Sequence, residues 1–153
     1  MAIMHRRRLI RRVDIERVRH AIEEAEKRTS GEFRVSVSRF FWGKVRPVAE
    51  RAFRRLGIAG TRQRNAVLFF IVPSRKQFVV LGDEAMHAKV GQEFWDNVAD
   101  AMSGHFRKGE FTDGLVSGIK AAAEALATHF PYDAAADVNE LPDDIDTGKT
   151  RQE

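Results

Sequence analysis

The sequence predicts an α/β fold, a three-layer α/β/α sandwich around a small mixed sheet in which strands one and two are parallel and strand three is antiparallel. Three observations predict it. Phe33, Val35 and Val37 alternate with Arg34, Ser36 and Ser38; residues 67–72 and 78–81 are apolar at nearly every position; and the segments around them repeat their apolar residues at helical spacing. Strands as apolar as the second and third need helices on both faces, and a strand, a helix and a strand in this order form a right-handed parallel crossover in nearly every known case.

The elements follow in order. In "VDIERVRHAIEEAEKRTSGE", Asp14 caps a helix whose stripe is Ile15, Val18, Ile22 and Ala25, and Ser30-Gly31 stops it. Strand one starts at Glu32, with one face better covered than the other. A second helix takes Pro47 in its first turn and buries Val48, Ala52, Phe53 and Leu56 before Gly57. The hairpin "RNAVLFFIVPSRKQFVVLGDE" supplies strands two and three around a three-residue loop, Pro73-Ser74-Arg75, which pairs Val72 with Lys76 and sets Asn65 opposite Asp83. The carboxyl half is helical: one stripe holds Phe94, Val98, Ala101 and Met102 with Trp95 beside it, and another holds Phe111, Leu115, Ile119, Ala122 and Leu126 and ends at Pro131.

Charge divides the chain into one domain, residues 13–132, and two tails. Residues 1–12 carry five arginines and no acid, whereas residues 133–153 carry seven acids against Lys149 and Arg151, within a net charge of +4. The acidic, aromatic-poor end cannot bury enough apolar surface to offset its ordering entropy, so it is expected to be disordered. No apolar run approaches the roughly 20 residues of a membrane span, and the amino end has no secretory pattern, so the expected compartment is the cytoplasm. The chain has no cysteine, which excludes disulfides, thiolate metal sites and a cysteine nucleophile.

Two ends of the sheet carry candidate chemistry. At the amino end of strand one, Glu32 converges with Asn65 and Asp83, with Glu84 beside them, an oxygen-rich set suited to a hard cation such as Ca²⁺ or Mg²⁺. Asp83 has a second reading as a helix cap before "EAMHAKVG", Glu32 one as a partner for Arg62 or Arg64, and Asn65 one as turn geometry. At the carboxyl ends, where open α/β sheets usually bind ligands, lie Arg39, Phe41, Trp42 and Arg75. Phe40, Phe41 and Trp42 in succession cannot all point inward, so this basic, aromatic rim is read as a surface for a protein partner, a membrane-associated one included. The basic helix "ERAFRRLG" could join it. Nucleic acid is not expected, because acids interleave with the arginines and no recognition motif occurs.

The segments "EEAEKRTSGEFRVSV", "RLGIAGTRQRNAVLFFIVPSRKQFVVLGDEAMHAKVGQEFW" and "FRKGEFTDGLVSGIKAAAEALATHFP" together resemble the TPM-domain family of thylakoid lumen and bacterial proteins, over about Asp14 to Pro131. The parts that carry the resemblance are Thr29-Ser30-Gly31-Glu32, Arg64-Asn65, Gly82-Asp83 and the pattern Gly109, Phe111, Gly114, Leu115. The resemblance implies an α/β/α sandwich and, for some members, calcium binding and a weak phosphatase activity. Bacterial members are often anchored or secreted, and neither signal is expected here.

Independent catalytic signals are thin. The five histidines show no close metal-ligand spacing, and there is no phosphate-binding loop, dinucleotide fingerprint or nucleophile elbow. Asp96 and Asp100 share a helix face as an acidic patch. Gly109 to Gly114 is read as a loop into a helix capped by Thr112 or Asp113, with a phosphate cradle as the functional alternative. The function expected is a binding or accessory module with a divalent-cation site and no organic cofactor; the alternative is a weak metal-dependent phosphatase acting on phosphate monoesters, its cation polarising a phosphoryl oxygen.

Overall fold

A computed structural model describes residues 13–57, 65–82, 84–132 and 145–147, the side chains of Glu84 and Ala85 excepted. In chain order the elements are α1 (Ile15–Glu26), β1 (Glu32–Val37), α2 (Val45–Arg55), β2 (Ala66–Val72), β3 (Gln77–Gly82), α3 (Glu84–Val90), α4 (Gln92–Arg107) and α5 (Phe111–His129). The sheet order is β1-β2-β3, with β1 parallel and β3 antiparallel to β2.

Strands β2 and β3 send alternate residues to two cores, because side chains alternate across a pleated strand, while β1 contributes to the larger one alone. Phe33, Val35, Val37, Val67, Phe69 and Ile71 join the larger core, built with the stripes of α1, α4 and α5. Leu68, Phe70 and Val72 face the smaller one, where Ala49 and Ala52 of α2 lie against them. The sheet is therefore the middle of three layers.

The helices follow their predicted stripes, with shifts at their ends. Asp14 Oδ1 accepts from the Arg17 N–H at 3.2 Å and caps α1. The helix stops at Glu26 rather than at Ser30-Gly31, because Thr29 and Ser30 are used to hold the end of α5. In α2 the buried positions are Ala49 and Ala52, while Val48, Phe53 and Leu56 are only partly covered. Gly91, at φ +80°, breaks the helical stretch after β3 into α3 and α4.

Two expectations for the strands need correction. The hairpin loop has four residues: Pro73–Arg75 form a 3₁₀ turn and Lys76 adopts a left-handed φ of 52°, so Val72 pairs with Gln77 and Val67 with Gly82. The predicted register is one residue off; Asp83, expected opposite Asn65, lies outside the described residues. Strand β1 is buried at all six positions rather than on one face. Its polar Ser36 is covered by Asp146, whose Ile145–Thr147 segment lies within the stretch expected to be a disordered tail. The remaining residues of both tails lie outside the described residues. Among the described residues, no helix is long and apolar enough to cross a membrane.

Candidate functional site

The amino-end cluster is assembled by neutral hydrogen bonds. Asn65, 2% exposed, precedes β2 and donates from Nδ2 to the Ser30 carbonyl at 2.7 Å and to Ser30 Oγ at 3.3 Å. Its own carbonyl accepts from the Glu32 N–H at 3.2 Å, so Glu32 and Asn65 are neighbours as the parallel pairing predicts. The Ser30 N–H and Thr29 Oγ1 both donate to the Phe130 carbonyl, and Thr29 Oγ1 accepts from the Gly31 N–H at 3.1 Å. A Cβ on Gly31 would stand 3.0 Å from Leu126 Cδ1, so the step into β1 runs close against α5. The result ties α1, β1, β2 and α5 together at one end of the sheet.

As a cation site this cluster is incomplete among the described residues. Asn65 has given its amide hydrogens to Ser30, which leaves one amide oxygen, and Glu32 is buried and contributes one carboxylate. A Ca²⁺ ion takes roughly six to eight oxygens. Asp83 and the Glu84 side chain, the other predicted donors, lie outside the described residues, as do Arg62 and Arg64.

The carboxyl-end rim is exposed and braced. Trp42 is 88% exposed and Phe40 47%, their rings meeting edge to face with centroids 4.8 Å apart, while Phe41 packs on the margin of the smaller core. Arg75 Nη1 donates to the carbonyls of Phe41 at 3.0 Å and Gly43 at 2.7 Å, and its guanidinium lies 5.3 Å from the centre of the Phe41 ring. Arg39 is exposed on the same loop. Below it opens a hollow of about 630 Å³ whose lining includes Lys44, Arg75, Lys76, Phe78 and Arg107, a cationic rim with an apolar floor.

Residues 3–125 match the TPM domain. The chain belongs to the TPM-domain family. Among solved structures it is similar to the BA42 protein of the psychrophilic bacterium Bizionia argentinensis, at 36% identity and a TM-score of 0.82, covering 89% of this chain and 95% of that one. It shares its fold with the N-terminal domain of a P. gingivalis protein, at 17% identity and a TM-score of 0.60 with 72% of each chain covered. It also does so with the N-terminal domain of a Corynebacterium glutamicum protein, at 13% identity and 0.59, with 73% of this chain and 70% of that one covered. None of the curated proteins matches the chain.

In this TPM domain the Thr29–Glu32 step and Asn65 meet, whereas Gly109 to Gly114 form the turn between α4 and α5. Glu110 is the N-cap of α5 and gives no side-chain cap bond. Thr112 Oγ1 instead accepts from the Asp14 N–H at 2.9 Å, and Asp113 pairs with Arg17 at 3.0 Å. This turn also brings together a group that sequence spacing did not single out. His105, Glu110 and Asp113 place ligand atoms within 4.8 Å of one another, with His105 Nδ1 2.8 Å from Glu110 Oε1. The sequence signal was the Lys108-Gly109 turn, which folds the last turn of α4 onto the first of α5. Each member already has a protein partner, which makes it a weak candidate for a metal.

Proposed function

We propose that this TPM domain is a binding module that presents Phe40 and Trp42, flanked by Arg39 and Arg75, to a protein partner. The observation that carries this reading is the 88% exposure of Trp42 on a loop fixed by two hydrogen bonds from Arg75. Tryptophan and arginine dominate binding hot spots, and a pre-fixed loop loses less conformational freedom on association. The position, at the carboxyl ends of the parallel strands, is also where open α/β sheets take ligands.

The test is photo-crosslinking in cells from an amino acid placed at position 42, with Glu124, exposed on α5, as the control position. A discrete adduct from position 42, lost on Arg75→Glu and missing from position 124, is the expected result. Identical patterns from both positions would refute the reading.

A metal-dependent phosphatase, with Ca²⁺ or Mg²⁺ at Glu32, Asn65, Asp83 and Glu84, is the second reading, favoured by the adjacency of Glu32 and Asn65 at the amino end. Titration of the chelator-treated domain with each ion, followed by amide NMR beside Asp83→Asn, checks it. Saturable shifts at Glu32 and Asn65 that vanish in the variant support the site, and flat spectra to millimolar metal remove it.

A further inference from the structure

Among the described residues of the acidic segment, Asp146 bonds to the outer edge of the sheet through both its main chain and its carboxylate. Its N–H donates to the Val35 carbonyl at 2.9 Å and its carbonyl accepts from the Val37 N–H at 2.7 Å, which makes a parallel bridge opposite Ser36. Its carboxylate accepts from Ser36 Oγ at 2.8 Å and from Arg55 Nη2 at 2.9 Å. Ile145, pointing the other way as strand alternation requires, packs on the larger core. Beside Ser36 and Arg55 a hollow of about 680 Å³ continues along α2, lined by Ser38, Val48, Arg51 and Arg54 among others.

These contacts read as a recognition code. The edge of β1 supplies main-chain donors and acceptors, the core margin takes a branched aliphatic side chain, and Ser36 with Arg55 takes the carboxylate that follows it. The arginines of α2 extend the preference to further acidic residues. This is the strand-addition mode of peptide recognition, in which backbone bonds give affinity and alternate side chains give specificity.

We infer that the outer edge of β1 is a binding site for an extended, acidic segment of another protein carrying a branched aliphatic residue followed by Asp, and that Ile145–Thr147 occupies this site in cis as a competing plug. Among the described residues the plug holds the edge through one bridged residue, Asp146, so a longer strand with the same pair can compete with it. It also keeps an edge strand from pairing indiscriminately. The inference does not depend on the reading of the Phe40–Trp42 rim.

The experiment uses the full chain, wild type and Asp146→Lys, with a fluorescein-labelled peptide of the sequence LPDDIDTGKTR, residues 141–151, read by anisotropy. A tethered competitor at an effective concentration on the order of 1 mM weakens a peptide of about 100 µM intrinsic Kd roughly tenfold. Asp146→Lys, which sets a cation against Arg55, should therefore bind the peptide about tenfold more tightly than wild type. Adding Arg55→Glu to it, or using the peptide carrying Asp146→Lys, should remove binding. Circular dichroism establishes that the variants are folded. If Asp146→Lys fails to fold, amide NMR of the isotope-labelled wild type with unlabelled peptide decides: excess peptide should leave Val35 to Val37 bridged and move the Ile145 to Thr147 amides to released positions. No binding to a folded Asp146→Lys chain, unshifted Ile145 to Thr147 amides at millimolar peptide, or equal affinity for both chains would overturn the inference. So would a wild-type dimer, seen by sedimentation and lost in Asp146→Lys, because it would give the edge to a second copy.

Discussion

Asn65→Asp separates a structural amide from a cation ligand with one nearly isosteric change. In the native domain Asn65 Nδ2 donates to the Ser30 carbonyl at 2.7 Å while the residue is 2% exposed. The substitution replaces that donor by an oxygen, so two acceptors face each other where Asn65 is buried and Ser30 half-buried. Leaving a buried acceptor unsatisfied costs about 1–3 kcal/mol, and more when a charge is involved, so a loss of about 3 kcal/mol at neutral pH is expected. For a domain of this size that corresponds to a fall in Tm on the order of 10 °C. The pH dependence has a definite sign. The introduced carboxyl is held neutral by burial and by the facing carbonyl, so it binds its proton more tightly folded than unfolded. The penalty is therefore fully present above the folded pKa and fades as the pH falls toward the unfolded value of about 3.9, where an O–H can donate to Ser30. Urea unfolding at pH 7 and at pH 4, with chelator and with millimolar Ca²⁺, measures this. A variant as stable as wild type at pH 7 in chelator would refute the structural role, and one stabilised by Ca²⁺ beyond wild type would place the residue's oxygen on an ion.

Two further perturbations probe the core and the rim. Gly118→Val should cost about 1–3 kcal/mol, because a Cβ there stands 2.6 Å from Met102 Cγ and Sδ and 3.3 Å from Phe69 Cε2; partial recovery in a double variant with Met102→Ala, read by thermal melts, checks the clash. Arg75→Ala removes two hydrogen bonds and a cation–π contact at a half-exposed position, so it should lower global stability by no more than about 1 kcal/mol. Its main effect should fall on the loop, lowering the heteronuclear NOE of the Phe41 to Gly43 amides, and unchanged values would show that Arg75 does not brace it.

What was legible in the sequence is what depends on local periodicity. The apolar runs of β2 and β3 gave both strands and the helices on either face, and the crossover rule gave the parallel pairing of β1 with β2. The hairpin register was missed by one residue because nothing in Pro73-Ser74-Arg75-Lys76 announces that Lys76 takes a left-handed conformation. The burial of Ser36 and the docking of Asp146 were not legible either. They depend on a pairing with Arg55 across 91 residues, and an isolated acidic stretch carries no local trace of such a partner. The same holds for His105, Glu110 and Asp113, which converge only once α4 and α5 have packed. At the candidate sites, sequence placed Glu32 beside Asn65 and left an aromatic exposed at the rim, yet it could not tell that Asn65 offers its nitrogen rather than its oxygen.

The two ends of the sheet are built for different tasks by the same sandwich. Because helices cover both faces of the sheet and β1 is buried throughout, a partner of the proposed kind would meet the sheet at its ends and edges. At the amino end, Thr29, Ser30 and Asn65 pair neutral donors with neutral acceptors in a largely buried network beside Glu32, and such a network rigidifies a fold. At the carboxyl end the fixing bonds come from a guanidinium, and they hold Trp42 out in water, where an apolar side chain has the most to gain from a partner. The asymmetry follows from the crossover itself: β1 leads directly into the Phe40–Trp42 loop, and the β2–β3 turn brings Arg75 beneath it, so the rim is assembled by the two connections the topology requires.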